Sequence, residues 1–209
     1  MKKLNAISLF TMLLISSVYS TQAMAVGKGF YLQAGAGSAS WDAEDDFHSW
    51  SFDSDTSHAG FGFVLDTAVA KDKLFNYRFQ IGYEQFEDKP TGSSRKLKMD
   101  SLVIDQDFGF GLVRNDRIRF WLGPELRVSF SGGTPDGYSD FDVVLFGLGL
   151  GPVMGINVHT NSRLSLGFKV GYMAMTYTGV GDDTSSANND VDYNVDEGYT
   201  FVNFSMLFR

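Results

Sequence analysis

Cysteine is absent from this 209-residue chain. A disulfide framework and a thiolate metal site are both excluded by that absence. Proline is scarce, 4 residues against 23 glycines, and aromatic residues make up 15%. That balance favours extended structure over helix. Nowhere do about 18 apolar residues follow one another, so no helix of this chain spans a bilayer. Basic residues are also short, 17 against 25 acidic, for a formal charge of −8. Nucleic acid, which needs a basic footprint, is excluded as a partner.

The first 25 residues read as an export signal. Lys2 and Lys3 precede the apolar stretch Leu4 to Val18, and Ala23-Met24-Ala25 has the small-x-small pattern of a cleavage site. The stretch is too short for a membrane anchor. Residues 1–25 are therefore expected to be cleaved, leaving residues 26–209 as one domain.

Strict alternation of apolar and polar residues dominates the remainder. Phe75, Tyr77, Phe79, Ile81 and Tyr83 alternate with Asn76, Arg78, Gln80, Gly82 and Glu84. A strand separates these sets onto two faces, whereas a helix scatters both around its axis. Ile118 to Phe130 repeats the pattern, with Arg119, Trp121, Gly123, Glu125, Arg127 and Ser129 on the second face. Further strands are expected at 29–41, 59–69, 97–113, 143–158, 163–178 and 198–208. The polar segments 42–58, 87–96, 131–142 and 179–197 are expected to be long loops, and 70–74, 114–116 and 159–162 short turns. Eight antiparallel strands with long loops at one end and tight turns at the other describe a transmembrane β-barrel, its short turns periplasmic and its long loops extracellular.

Volume decides which face is outside. An eight-stranded barrel encloses barely enough room for side chains. The large apolar residues are too many for that lumen, whereas Gly35, Gly37, Gly60, Gly62, Gly109, Gly111, Gly147, Gly149, Gly151 and Gly171 lie on the opposite faces. In water the bulky face would be a very large exposed apolar patch; lipid requires one. The final strand, Val202-Asn203-Phe204-Ser205-Met206-Leu207-Phe208-Arg209, alternates to an aromatic penultimate residue. In its strands, loops and C-terminal strand the chain resembles the small eight-stranded outer-membrane barrels typified by outer-membrane proteins A and X. The resemblance implies a Gram-negative outer-membrane location, recognition of the last strand by the assembly machinery, and a lumen closed by a static polar network.

The inward face collects Arg78, Glu84, Asp105, Asp107, Arg119, Glu125, Arg127 and Lys169. Charges within a bilayer-spanning structure must point inward and pair with one another. The three arginines are expected to pair with inward carboxylates such as Glu84, Glu125, Asp105 or Asp107, with Trp121, Met173, Met175 and Tyr177 filling the remaining space. His48 and His58 are expected to be solvated beside the first loop. His159-Thr160-Asn161-Ser162 resembles the His-x-Ser-Asn motif of lipid A deacylases with its last two residues exchanged, and is read as a turn. Gly147 to Pro152 lacks the following helix a phosphate loop needs. Asp190, Asp192 and Asn194 begin like a calcium loop, but Val195 and Phe201 stand where Gly and Glu are required. No catalytic, metal or cofactor site is expected, and no binding residue is assigned.

Pro124 and Pro152 sit inside two strands, where proline removes a ladder donor. Counting from the turn between them places both at one height, with a shared bulge or kink expected there. The resulting expectation is a monomeric, non-enzymatic barrel acting structurally or through its surface loops, in contact with outer-membrane lipid, lipopolysaccharide and an extracellular ligand. An enzyme acting on lipid A or phospholipid, and a narrow channel for small solutes, are the alternatives.

Overall fold

A computed structural model describes residues 27–45, 47–67, 74–93, 95–135, 141–160, 163–183 and 191–208. The expected signal segment lies outside these residues. The eight strands are β1 (Gly27–Glu44), β2 (Ser49–Asp66), β3 (Phe75–Pro90), β4 (Leu97–Arg114), β5 (Ile118–Pro135), β6 (Phe141–His159), β7 (Leu164–Asp183) and β8 (Val191–Phe208). Each pairs antiparallel with the next in the chain, and β8 pairs with β1 from Lys28↔Phe208 to Glu44↔Asp192, closing the barrel. Closure satisfies the backbone groups that an open sheet edge would leave bare.

Alternation extends further along the chain than expected. β8 alternates buried and exposed without a break from Val191 to Phe208. The segments 42–58, 131–142 and 179–197 are largely strand, and 87–90 of the segment 87–96 belongs to β3; the stretches between strands at that end are 45–48, 91–96, 136–140 and 184–190. The contrast between long loops and short turns is therefore replaced by a barrel wall that continues past its apolar belt. Polarity misled here because the outward residues become Ser, Asp and Thr while the inward ones keep their period. Asp53 and Asp55 point outward, whereas Ser54 and Thr56, alternating with them, are buried. A strand in water on one face needs no outward apolar residue.

The belt itself is an unbroken ring of outward apolar side chains, including Phe30, Phe63 (61% exposed), Ile81, Leu102, Leu148 (51% exposed), Phe168 and Phe204. It reaches the connections at one end, the base, and stops at Tyr83 on β3 and at Ala59 on β2, well short of the other end, the mouth. Strands of 18 residues, at about 3.3 Å per residue and a tilt near 40°, stand about 45 Å tall. An apolar band of about 25 Å leaves roughly 20 Å of wall beyond it.

The two prolines face each other directly, Pro124↔Pro152. Two prolines can oppose one another only at a non-hydrogen-bonded pair, where neither strand asks the other for an N–H. The missing donors therefore face β4 and β7. Pairing lapses there, between Asp107↔Glu125 and Phe110↔Leu122 on one side and between Leu150↔Ala174 and Val153↔Gly171 on the other. The expected bulge is corrected: register is kept across both gaps, and the register shift lies at Gly111/Val113. The glycines before the prolines are required by close approach. A methyl built on Gly123 would meet the Phe108 carbonyl oxygen at 1.9 Å, and one on Gly151 the Tyr172 carbonyl oxygen at 1.8 Å.

Candidate functional site

All eight inward charges identified in the sequence are buried in the lumen, where they form three stacked layers. Nearest the base, Arg78 lies 3.6 Å from Asp66 and donates to Ser205 Oγ at 2.7 Å. Its guanidinium sits over the Trp121 ring. Arg119 donates to Asn76 Oδ1 at 3.4 Å, and Asn157 donates to Asp66. In the middle, Lys169 Nζ donates to Gln80 (2.7 Å), Asp107 (3.1 Å) and Glu125 (2.7 Å), above the Phe201 ring.

The third layer is centred on Arg127, which holds Asp105 through Nε (2.6 Å) and Nη2 (2.9 Å) and reaches Glu84 (3.1 Å) and the Tyr199 hydroxyl through Nη1. The fork matches a carboxylate edge in a way that an ammonium cannot. His58 continues this layer. Its Nδ1 lies 3.0 Å from Glu84 and its Nε2 2.7 Å from Glu197, with the ring stacked on Tyr199. A ring bearing hydrogen on both nitrogens, the imidazolium, is the form that satisfies both carboxylates.

Arg78 and Arg127 pair with inward carboxylates as expected, Arg78 with Asp66 and Arg127 with Asp105 and Glu84, while Asp107 and Glu125 are held by Lys169. Two expectations need correction. His58 is buried in the lumen, not solvated beside a loop. Glu197, counted among loop acids, is its partner. The signal was available: His58 shares parity with Gly60, Gly62 and Val64, and Glu197 with Tyr199 and Phe201. Extending each inward set past the belt would have included both.

The remaining candidates bring no chemistry together. His159 ends β6 and makes a 2.8 Å hydrogen bond with Ser165 Oγ, but Ser165 is fully buried, where a nucleophile has no substrate. Asn161 and Ser162 lie outside the described residues, as does Asp190. Asp192 and Asn194 point outward from β8. Gly147, Gly149 and Gly151 belong to β6, and no helix follows. His48 lies on the 45–48 connection and is exposed beside Asp45.

Above the third layer the lumen opens into a cup of about 200 Å³ at the mouth. Trp41 from β1, Phe52 from β2 and Tyr193 from β8 form its aromatic wall. Trp41 and Phe52 are stacked at 5.7 Å, and Tyr193 meets Trp41 edge-on at 5.6 Å. Asp88, only 1% exposed, lies among them. Its Oδ2 accepts from Trp41 Nε1 (2.9 Å) and Ser54 Oγ (2.6 Å). Burial pushes this carboxyl up to about 6, reinforced by the charges of Glu197 and Asp55 and opposed by the two hydrogen bonds. Asp88 lies beyond the belt, above Tyr83 on the same strand. Arg95 and Lys96 from the 91–96 connection form the rim, with Lys96 bonded to Glu87.

No family model and no curated protein matches the chain. Among solved structures it is similar to the outer-membrane protein AlkL determined in lipid bilayers, at 12% identity and a TM-score of 0.53, covering 87% of this chain and 90% of that one. It also matches neisserial surface protein A at 20% identity, covering 85% and 97% with a TM-score of 0.35. The attachment invasion locus protein Ail of Yersinia pestis matches at 10% identity over 86% and 97%, with a TM-score of 0.32.

Proposed function

We propose that this chain, which has the fold of the small eight-stranded outer-membrane barrels, resides in a Gram-negative outer membrane as a non-enzymatic protein working at its protruding mouth. The apolar belt supports the location, since that ring of outward Phe, Leu and Val is stable in lipid and not in water. The observation that carries the role is the filled lumen. Arg78, Lys169, Arg127 and His58, with their carboxylates, stack along the axis, and Trp121 and Met173 are fully buried among them. A small solute would have to break successive buried ion pairs to pass. The specificity of such a rigid scaffold then lies at its exposed end.

Lipid, lipopolysaccharide and the assembly machinery are the partners this location implies. Lys89 and Lys98 project outward from the mouth ends of β3 and β4, beyond the belt, where they can meet lipopolysaccharide phosphates. Labelling of intact cells with a membrane-impermeant amine reagent, combined with planar-bilayer recording of the purified protein, tests the reading. Modification of Lys89 and Lys98 without stepwise conductance is expected. A periplasmic soluble protein, or a steady ion current, would overturn it.

A further inference from the structure

The mouth cup has a polarity that the scaffold role does not require. A barrel end closed only for stability would be filled by apolar groups, since burying a carboxylate without a cationic partner is costly. Here Asp88 is buried among three aromatic rings, with both its donors on Oδ2 and no donor on Oδ1 among the described residues. The faces of Trp, Phe and Tyr carry negative quadrupole potential. Carboxylate and rings together suit an ammonium group. The rim carries Arg95 and Lys96, the latter bonded to Glu87, and so keeps an excess of the opposite sign. Outside the cup, β8, β1 and β2 bear Asp42, Glu44, Asp53, Asp55, Asp192 and Asp196 on their outward faces, without a lysine or arginine beyond the belt. That wall draws cations toward the mouth.

We propose that the cup is a binding site for a small zwitterion, its ammonium end seated against Asp88 and the Trp41–Phe52–Tyr193 wall, its anionic end held by Arg95 and Lys96. The orientation follows from the arrangement of charge, carboxylate within and cations at the lip. A simple anion would meet Asp88, and a simple cation would make no use of the positive rim. This goes beyond the scaffold reading and is tested independently of cellular location.

Phosphocholine is a suitable probe, with choline and inorganic phosphate as its two halves. Titration of the detergent-solubilised protein at pH 8, followed by calorimetry and by tryptophan emission, is expected to show saturable binding of phosphocholine. Choline is expected to bind about tenfold more weakly, and phosphate not at all. Asp88→Asn should weaken phosphocholine and choline by tenfold or more. The double substitution Arg95→Ala and Lys96→Ala should reduce phosphocholine to the affinity of choline and leave choline unchanged. Tyr193→Leu, which keeps bulk and removes the ring, should weaken both several-fold. Heat-modifiable migration establishes that each variant is folded. Absence of saturable phosphocholine binding would overturn the proposal. So would phosphate binding as tightly as phosphocholine, or a folded Asp88→Asn that binds as well as the parent.

Discussion

Asp88 illustrates a residue whose place is explained poorly by stability. Its carboxyl titrates near 6 in the folded protein because burial disfavours the charge. The folded value lies above the ordinary carboxylate value, so ionisation acts against the fold. The penalty is absent below about pH 4, grows through the interval, and is complete above about pH 6. Asp88→Asn keeps an acceptor for Trp41 and Ser54 and removes the charge. At pH 8 the variant should be more stable than the parent by about 3 kcal/mol, and at pH 4 the two should coincide. Urea titrations followed by gel migration at the two pH values measure this. Lys169 behaves oppositely. Lys169→Met would leave Asp107 and Glu125 facing each other without a cation, at a cost of about 3–5 kcal/mol. Adding Glu125→Leu should recover part of that loss, and failure of the double variant to recover would show that Lys169 acts through something other than pairing.

The strands were legible where period two coincided with a change from apolar to polar, as at Phe75 to Tyr83. They became illegible where both faces turned polar, as at Asp53-Ser54-Asp55-Thr56, because polarity no longer distinguished wall from connection. The lumen charges at Arg127 and Lys169 could be read from parity, since only one face of each strand tolerates a charge in lipid. The partners of Arg127 (Asp105 and Glu84) are among those expected; the claim of Lys169 on Asp107 and Glu125 was not legible, because pairing across the lumen depends on shear between strands, which no single strand encodes. Gly123-Pro124 and Gly151-Pro152 are an intermediate case. Their common height followed from counting, but the absence of a register shift follows from each carbonyl resting against a glycine. Gly123→Ala or Gly151→Ala should therefore force the neighbouring strand aside, lowering stability by about 2 kcal/mol or more. Pro124→Ala, which adds a donor facing β4, should be tolerated. Thermal unfolding of the three variants distinguishes them; equal losses at all three positions would show that the proline, and not the glycine, shapes the gap.

The whole molecule is a cylinder in which every described strand has two partners, with a polar core and an apolar exterior in the belt. Such a structure resists detergent until heat opens the ladder. The unheated protein is expected to migrate faster than the boiled one on a denaturing gel, and identical migration would count against the closed barrel in solution. Closure also sets an order of events in time. The contact that seals the wall joins Lys28 to Phe208, nearly the full length of the described chain. It cannot form until the last strand has been synthesised, a long-range step that makes folding slow. That same strand supplies Glu197 and Tyr199 to the His58 layer and Tyr193 to the cup. The same strand gives Ser205 to Arg78 at the base and Phe201 to Lys169 in the middle, so every layer of the lumen is completed only as the wall closes, and a barrel arrested before that step would lack a finished network from base to mouth.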